Sequence, residues 1–177
     1  MKEFLLTSAY PRSGQTFLNY ALKYLYYKDI VNENLHTVKP LVNLKKPIVS
    51  IRNPLDSISS WSNYQYNNNQ TKNLLDDIKF YIRFYSAVLD NKDKLVIVEF
   101  EEFTVDGNYL VSRMKQEFDI DPINTWDLDA IKSSMLENGK SKNLPVDNYD
   151  NINKLKEQLK AMPEFEECIS LYNRLKV

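Results

Sequence analysis

The feature that most limits how this chain can fold is the stretch Phe4–Leu18 near its start. It joins a short apolar run to a tight turn that contains Pro11, Arg12 and Gly14, and apolar residues at helical spacing follow immediately. A strand that turns directly into the first turn of a helix presents backbone N–H groups to an anion, as phosphate-binding loops do. The stretch therefore predicts a strand–loop–helix unit with an anion site at the turn.

Two further apolar runs predict buried strands at 47–51 and 94–100, in addition to the first strand at 3–9. Runs of this kind, without strict alternation, are typical of a parallel sheet covered on both faces. The spacing of apolar residues predicts helices at 14–27, 54–64, 74–89, 110–118, 128–136, 152–162 and 164–175. Thr71 is the candidate N-cap of the helix at 74–89. Strands that alternate with helices indicate an α/β, three-layer fold with helices on both faces of the sheet.

Composition restricts the classes of protein to which the chain can belong. Its 177 residues, 43% of them hydrophobic, suffice for a single domain (1–177) with a buried core. A net charge of −1 gives no broad basic field for nucleic acid or an anionic membrane, so an anion must be bound by a local pocket. One cysteine, Cys168, excludes an internal disulfide, and a single histidine leaves no zinc-ligand cluster. We expect a cytoplasmic protein with neither a signal peptide nor a membrane span.

The first loop differs from the P-loop of nucleoside triphosphatases in informative positions. That motif reads Gly-x-x-x-x-Gly-Lys-Ser/Thr, and its lysine reaches the β- and γ-phosphates. Here Ala9 and Gln15 replace the first glycine and the lysine, whereas Gly14 and Thr16 match. The missing lysine argues against an ATPase or kinase, while helix N-terminal amides together with Arg12 suit a single phosphate. An ordinary strand–turn–helix with an exposed arginine is the alternative.

A second strand–loop–helix unit places another arginine at the end of a strand. Arg52 follows the run 47–51, Pro54 suits the first turn of a helix, and Ser60 lies two helical turns further on. If Arg52 leans over the start of that helix, its guanidinium and the Ser60 hydroxyl can converge on a second phosphate. A capped helix without a ligand is the alternative. The carboxyl ends of parallel strands share one edge, so we expect both loops and the end of the third strand, at 100–102, to lie together.

Taken together, the two segments resemble the sulfotransferases that use 3′-phosphoadenosine 5′-phosphosulfate (PAPS). The family's 5′-phosphosulfate loop, Tyr-Pro-(Lys/Arg)-Ser-Gly-x-Thr-Trp-Leu, is similar to Tyr10–Leu18, with Phe17 at the tryptophan. The family's 3′-phosphate segment is a strand followed by Arg-Asn/Asp-Pro-x-Asp, with a serine eight residues after the arginine. Arg52–Asp56 and Ser60 are similar to it. The run Leu95–Phe103 resembles the family's later strand that ends in Tyr-Glu-Asp-Leu.

This resemblance, which covers roughly residues 4–103, implies a P-loop NTPase-like sulfotransferase architecture. It assigns the following residues to the donor PAPS: Arg12, Ser13, Gly14, Gln15, Thr16, Phe17, Arg52, Ser60, Gly139 and Lys140. The first loop would hold the 5′-phosphosulfate, Phe17 would stack on adenine, and Arg52 with Ser60 would bind the 3′-phosphate. Gly139 and Lys140 are the candidates for the family's C-terminal basic loop, and a glycine that merely ends a helix is the alternative there.

The resemblance also implies the reaction, an in-line transfer of the sulfuryl group from PAPS to a hydroxyl or amine. His36, the single histidine, would be the general base and Arg12 the catalytic cation; Glu33 or Glu101 is the alternative base. We expect no metal, because the loop and Arg12 neutralise the leaving phosphate. The acceptor class (carbohydrate, phenol, lipid or peptide) and a homo-oligomeric state stay open. A non-catalytic nucleotide-binding module and a P-loop small-molecule kinase are the alternative functions.

Overall fold

The computed structural model describes residues 6–26, 46–68, 70, 73–139 and 149–176. Within them the protein has a three-stranded parallel sheet and eight helices, which confirms the predicted α/β class. The strands are β1 (Thr7–Ala9), β2 (Ile48–Ile51) and β3 (Val96–Glu99). The helices are α1 (Gln15–Tyr26), α2 (Pro54–Asn67), α3 (Leu74–Leu89), α4 (Phe100–Phe103), α5 (Gly107–Phe118), α6 (Leu128–Glu137), α7 (Tyr149–Lys160) and α8 (Phe165–Leu175). None of these described helices is long and apolar enough to cross a membrane.

Helices cover both faces of the sheet, whose strand order is β1-β2-β3 with every pair parallel. Ile48 pairs with Val96 and Val49 with Ile97. Because side chains alternate along a strand, Val49 and Ile97 pack into a core with α2, α3, α7 and α8. Ile48 and Val96 pack on the opposite face with α1, α5 and α6. Strands buried on both sides explain why the sequence shows continuous apolar runs.

The N-cap of α3 and the end of β3 differ from the sequence predictions for local reasons. The N-cap of α3 is Asn73, whose side chain accepts a hydrogen bond from the N–H of Asp76 at 2.8 Å. The prediction of Thr71 is therefore wrong, because an N-cap must directly precede the first helical residue to reach that N–H. The third strand is shorter than predicted, since α4 begins at Phe100 and buries Phe103 in the core.

Cys168 on α8 is fully buried, and this burial makes its thiol a reporter of folding. Burial raises the pKa of the thiol to about 12, because a thiolate inside the core would lose its hydration. Only the thiolate reacts with disulfide reagents. We therefore expect negligible labelling of the folded protein at mildly alkaline pH and complete labelling in denaturant. Native labelling at the denatured rate would contradict this burial.

Candidate functional site

The two predicted loops meet at the carboxyl edge of the sheet. β1 and β2 are parallel neighbours, so the β1–α1 loop and the β2–α2 loop leave the sheet at the same edge. The Nε atom of Arg12 donates a hydrogen bond to Oγ of Ser60 at 3.2 Å. The Nη1 atom of Arg52 donates to the carbonyl oxygen of Arg12 at 2.8 Å. Arg12 is thus joined in one site to two residues that lie 40 and 48 positions further along the sequence.

The first loop has an unusual backbone that its neighbours hold in place. Arg12 has φ of 63°, a left-handed conformation that costs a side-chain-bearing residue about 1–2 kcal/mol. The N–H of Ser13 closes the turn on the carbonyl of Tyr10 at 3.1 Å, and Arg52 holds the carbonyl of Arg12. Strain of this kind persists only where surrounding contacts determine the conformation. The contacts of Ser13 and Arg52 therefore hold the first loop in this conformation without a ligand.

Gly14 allows Phe100, the residue that follows the third strand, to approach the first loop. Its φ is +83°, and a Cβ placed on it would lie 2.1 Å from Cδ2 of Phe100. Phe100 follows β3 directly, and the guanidinium of Arg52 lies over its ring at 4.5 Å from the centroid. Phe100 therefore packs against the first loop and also supports the arginine of the second loop.

Two partly buried cations, Arg12 and Arg52, lie close together in the site. Burial lowers the pKa of Arg12, and the neighbouring charge of Arg52 lowers it further. Burial also lowers the pKa of Arg52, an effect that Asp56 and then Glu101 oppose. The Nε atom of Arg52 is buried and has no hydrogen-bond partner among the described residues. Two desolvated cations with an unsatisfied donor are costly on their own, and an anion between them would relieve both penalties.

The hydroxyl and the carbonyl of Ser13 form hydrogen bonds that hold the first loop in place. The side chain of Ser13 is buried, and its hydroxyl forms a hydrogen bond with the hydroxyl of Tyr85 at 3.3 Å. Its carbonyl oxygen accepts a hydrogen bond from Oγ of Ser50 at 2.6 Å. These contacts link the loop to β2 and α3. The direct contact between Ser13 and a phosphate stays a prediction.

The other predicted residues of the first loop lie at the start of α1. The side-chain amide of Gln15 points into the fold, where it donates to a backbone carbonyl of β1 at 3.0 Å. Thr16 is partly buried in the first turn, where N–H groups have no partner inside the helix. The ring of Phe17 stacks on Phe103 at 6.0 Å and meets the edge of Trp126 at 6.1 Å. Its predicted stacking on adenine stays a prediction, and no sequence pattern indicated that Trp126 would lie beside it.

Three tyrosines that support the site were not identified from the sequence as functional. The hydroxyl of Tyr81 donates to the carbonyl of Arg52, and that of Tyr85 donates to the carbonyl of Ser50, both at 3.1 Å. The ring of Tyr64 lies 5.8 Å from the guanidinium of Arg12. Helical spacing predicts only that Tyr81 and Tyr85 are buried. The available signal was the residue type, since a buried tyrosine normally needs a hydrogen-bond partner.

Of the remaining residues that the sequence predicts for the site, the structure describes two and leaves three undescribed. Gly139 has φ of +67° and donates its N–H to the carbonyl of Leu136 at 2.9 Å, as expected of a glycine that ends a helix. Both carboxylate oxygens of Glu101 accept hydrogen bonds from other residues of the protein. His36, Glu33 and Lys140 lie outside the described residues. Their predicted roles stay predictions.

Comparisons with models of protein families, with curated proteins and with solved structures find no match for this chain. Within the described parts of the chain, no group of three or more His, Cys, Asp or Glu side chains is arranged to hold a metal ion. The functional assignment therefore rests on the residues themselves and on the geometry that joins the two loops.

Proposed function

We propose that this protein is a PAPS-dependent sulfotransferase whose donor lies across the β1–α1 and β2–α2 loops. The observation that carries the proposal is the direct contact of Arg12 with both Ser60 and Arg52, at 3.2 Å and 2.8 Å. These three residues are key positions in the two segments that resemble the family. Neighbouring parallel strands bring any two such loops to one edge, so the support comes from the side-chain contacts that join these particular residues.

The positions of the two arginines, and the absence of a lysine at position 15, favour a bisphosphate over a triphosphate. Arg52 and Ser60 would bind the 3′-phosphate, and Arg12 with the first N–H groups of α1 would bind the 5′-phosphate. The kinase alternative requires a cation that reaches the β- and γ-phosphates. Gln15 stands at that position, and its amide is hydrogen-bonded to β1. This contact supports the sulfotransferase over the kinase.

The reaction forms a bond between sulfur and an acceptor oxygen or nitrogen and breaks the bond between sulfur and the 5′-phosphate oxygen. The released product is adenosine 3′,5′-bisphosphate (PAP). Arg12 and the positive end of α1 would stabilise the charge that develops on the leaving phosphate. A general base must take the proton of the acceptor, and His36 is our candidate for this role.

Calorimetric titration with PAP, and separately with ATP plus magnesium, tests the class of ligand. We expect PAP to bind without magnesium and more tightly than ATP, because two phosphate sites are present and a triphosphate-binding lysine is missing. A preference for ATP with magnesium would reject the proposal in favour of a kinase. Release of PAP from PAPS in the presence of varied acceptors then distinguishes an enzyme from a non-catalytic binding module.

A further inference from the structure

The peptide group between Arg52 and Asn53 is held at both of its polar atoms. Its carbonyl oxygen accepts a hydrogen bond from the hydroxyl of Tyr81 on α3 at 3.1 Å. Its N–H donates to Oε1 of Glu101 on α4 at 3.0 Å. A peptide group has no other hydrogen-bonding atoms, so its plane is fixed from two different elements. This plane directly follows the Cα atom from which the Arg52 side chain departs.

Glu101 is itself held by the last helix of the chain. Its second oxygen, Oε2, accepts a hydrogen bond from the hydroxyl of Tyr172 on α8 at 3.1 Å. Burial raises the pKa of Tyr172, and the carboxylate of Glu101 raises it further, so the hydroxyl keeps its proton and acts as a donor. A continuous chain of hydrogen bonds therefore runs from α8 through Glu101 to the N–H of Asn53, in the peptide group that follows Arg52.

The same carboxylate also supports the charge of Arg52. Burial lowers the pKa of Arg52, and the carboxylates of Asp56 and Glu101 offset part of this effect. Because both oxygens of Glu101 already accept hydrogen bonds, this carboxylate is better suited to orient a neighbour than to remove a proton from an acceptor. The guanidinium of Arg52 contacts the carbonyl of Arg12 and the ring of Phe100, and Glu101 holds the backbone from which that side chain departs.

We propose that Glu101 and Tyr172 are positioning residues that aim Arg52 at the second phosphate of the ligand. The inference rests on the proposed function, in which that group is the 3′-phosphate of PAP. Neither residue needs to touch the ligand. Selectivity for a bisphosphate over a monophosphate then depends on a hydrogen bond from α8, far from the loop in the sequence.

The replacement Tyr172→Phe removes one hydroxyl and tests this inference. We expect the ratio of the Kd for 5′-AMP to the Kd for PAP to fall roughly threefold to tenfold, as part of one hydrogen bond to a charged group is lost. The fall should come from weaker PAP binding. The matched control is Tyr26→Phe, because the Tyr26 hydroxyl is buried on the other face without a hydrogen-bond partner among the described residues. Calorimetry on each variant gives both constants.

A second pair of variants covers the case in which Tyr172→Phe fails to fold. Glu101→Gln keeps an oxygen that accepts from the N–H of Asn53, whereas Glu101→Ala removes it. We expect the glutamine variant to retain more of the PAP selectivity than the alanine variant, a difference that general destabilisation would not produce.

The outcomes separate the two proposals. If the wild-type protein binds PAP and 5′-AMP equally, the proposed donor is wrong. If it prefers PAP and the Tyr172 and Glu101 variants keep that preference in full, or lose affinity for both ligands equally, the positioning role is wrong while the donor stands.

Discussion

The replacement Arg52→Ala is expected to weaken PAP binding by about 30-fold or more, and 5′-AMP binding by less, since 5′-AMP senses only the lost hydrogen bond to the carbonyl of Arg12. Truncating one partner of a desolvated charge pair costs about 2–5 kcal/mol, and 2 kcal/mol corresponds to a factor of about 30. Arg52 meets this condition because its guanidinium is stacked on Phe100 and its Nε atom is buried without a partner among the described residues. Calorimetry with the two nucleotides measures both effects.

Two control variants make the result for Arg52 specific. Arg83→Ala removes one positive charge from an exposed position of α3, and its affinities should match those of the wild type. Arg52→Lys keeps the charge but loses the planar fork, so we expect an intermediate loss. Thermal unfolding without ligand checks that each variant is folded. An Arg52→Ala protein that binds PAP as the wild type does would contradict the assignment of the second phosphate site.

The replacement Gly14→Ala is expected to lower the free energy of unfolding by about 2–5 kcal/mol. A side chain in the left-handed region costs about 1–2 kcal/mol, and an overpacked contact adds about 1–3 kcal/mol. Both apply here, since Gly14 has φ of +83° and an added Cβ would lie 2.1 Å from Phe100. Urea denaturation of the wild-type and variant proteins measures the difference.

Gly139 provides the matched control for this prediction. Its φ of +67° is similar, but apart from its chain neighbours no atom of the described residues lies within 4 Å of an added Cβ, so Gly139→Ala should show only the conformational cost. In a Phe100→Ala background the overlap disappears, and Gly14→Ala should then cost no more than Gly139→Ala. A cost of Gly14→Ala that is the same with and without the Phe100 ring would contradict the close approach of loop and ring.

Much of the fold could be predicted from the pattern of apolar residues, and the errors of that prediction have identifiable causes. The helix predicted at 74–89 is observed as Leu74–Leu89, because one apolar stripe faces the core along its whole length. The strand predicted at 94–100 is observed as Val96–Glu99. Its end was misplaced because Phe100 and Phe103 continue the apolar pattern into a short helix. Periodicity cannot separate the end of a buried strand from the first turn of a buried helix.

The site was predictable only where strand ends and the family resemblance indicated it. Arg12 and Arg52 were expected to lie together because they follow strands assigned to one parallel sheet, and the structure joins them by a hydrogen bond. The hydroxyl contacts of Tyr85, Tyr81 and Tyr172 could not be predicted in this way. They depend on how α3 and α8 pack against the sheet, and the sequence pattern of a helix shows that a side chain is buried without showing which atom it meets.

The central claim is that one site holds two phosphates of a single nucleotide, and the wild-type affinities for PAP and 5′-AMP test it most directly. With magnesium absent, we predict that PAP binds at least about tenfold more tightly, because the added phosphate gains charge-assisted hydrogen bonds worth about 1.5–3 kcal/mol. Equal affinities for the two nucleotides would contradict the claim.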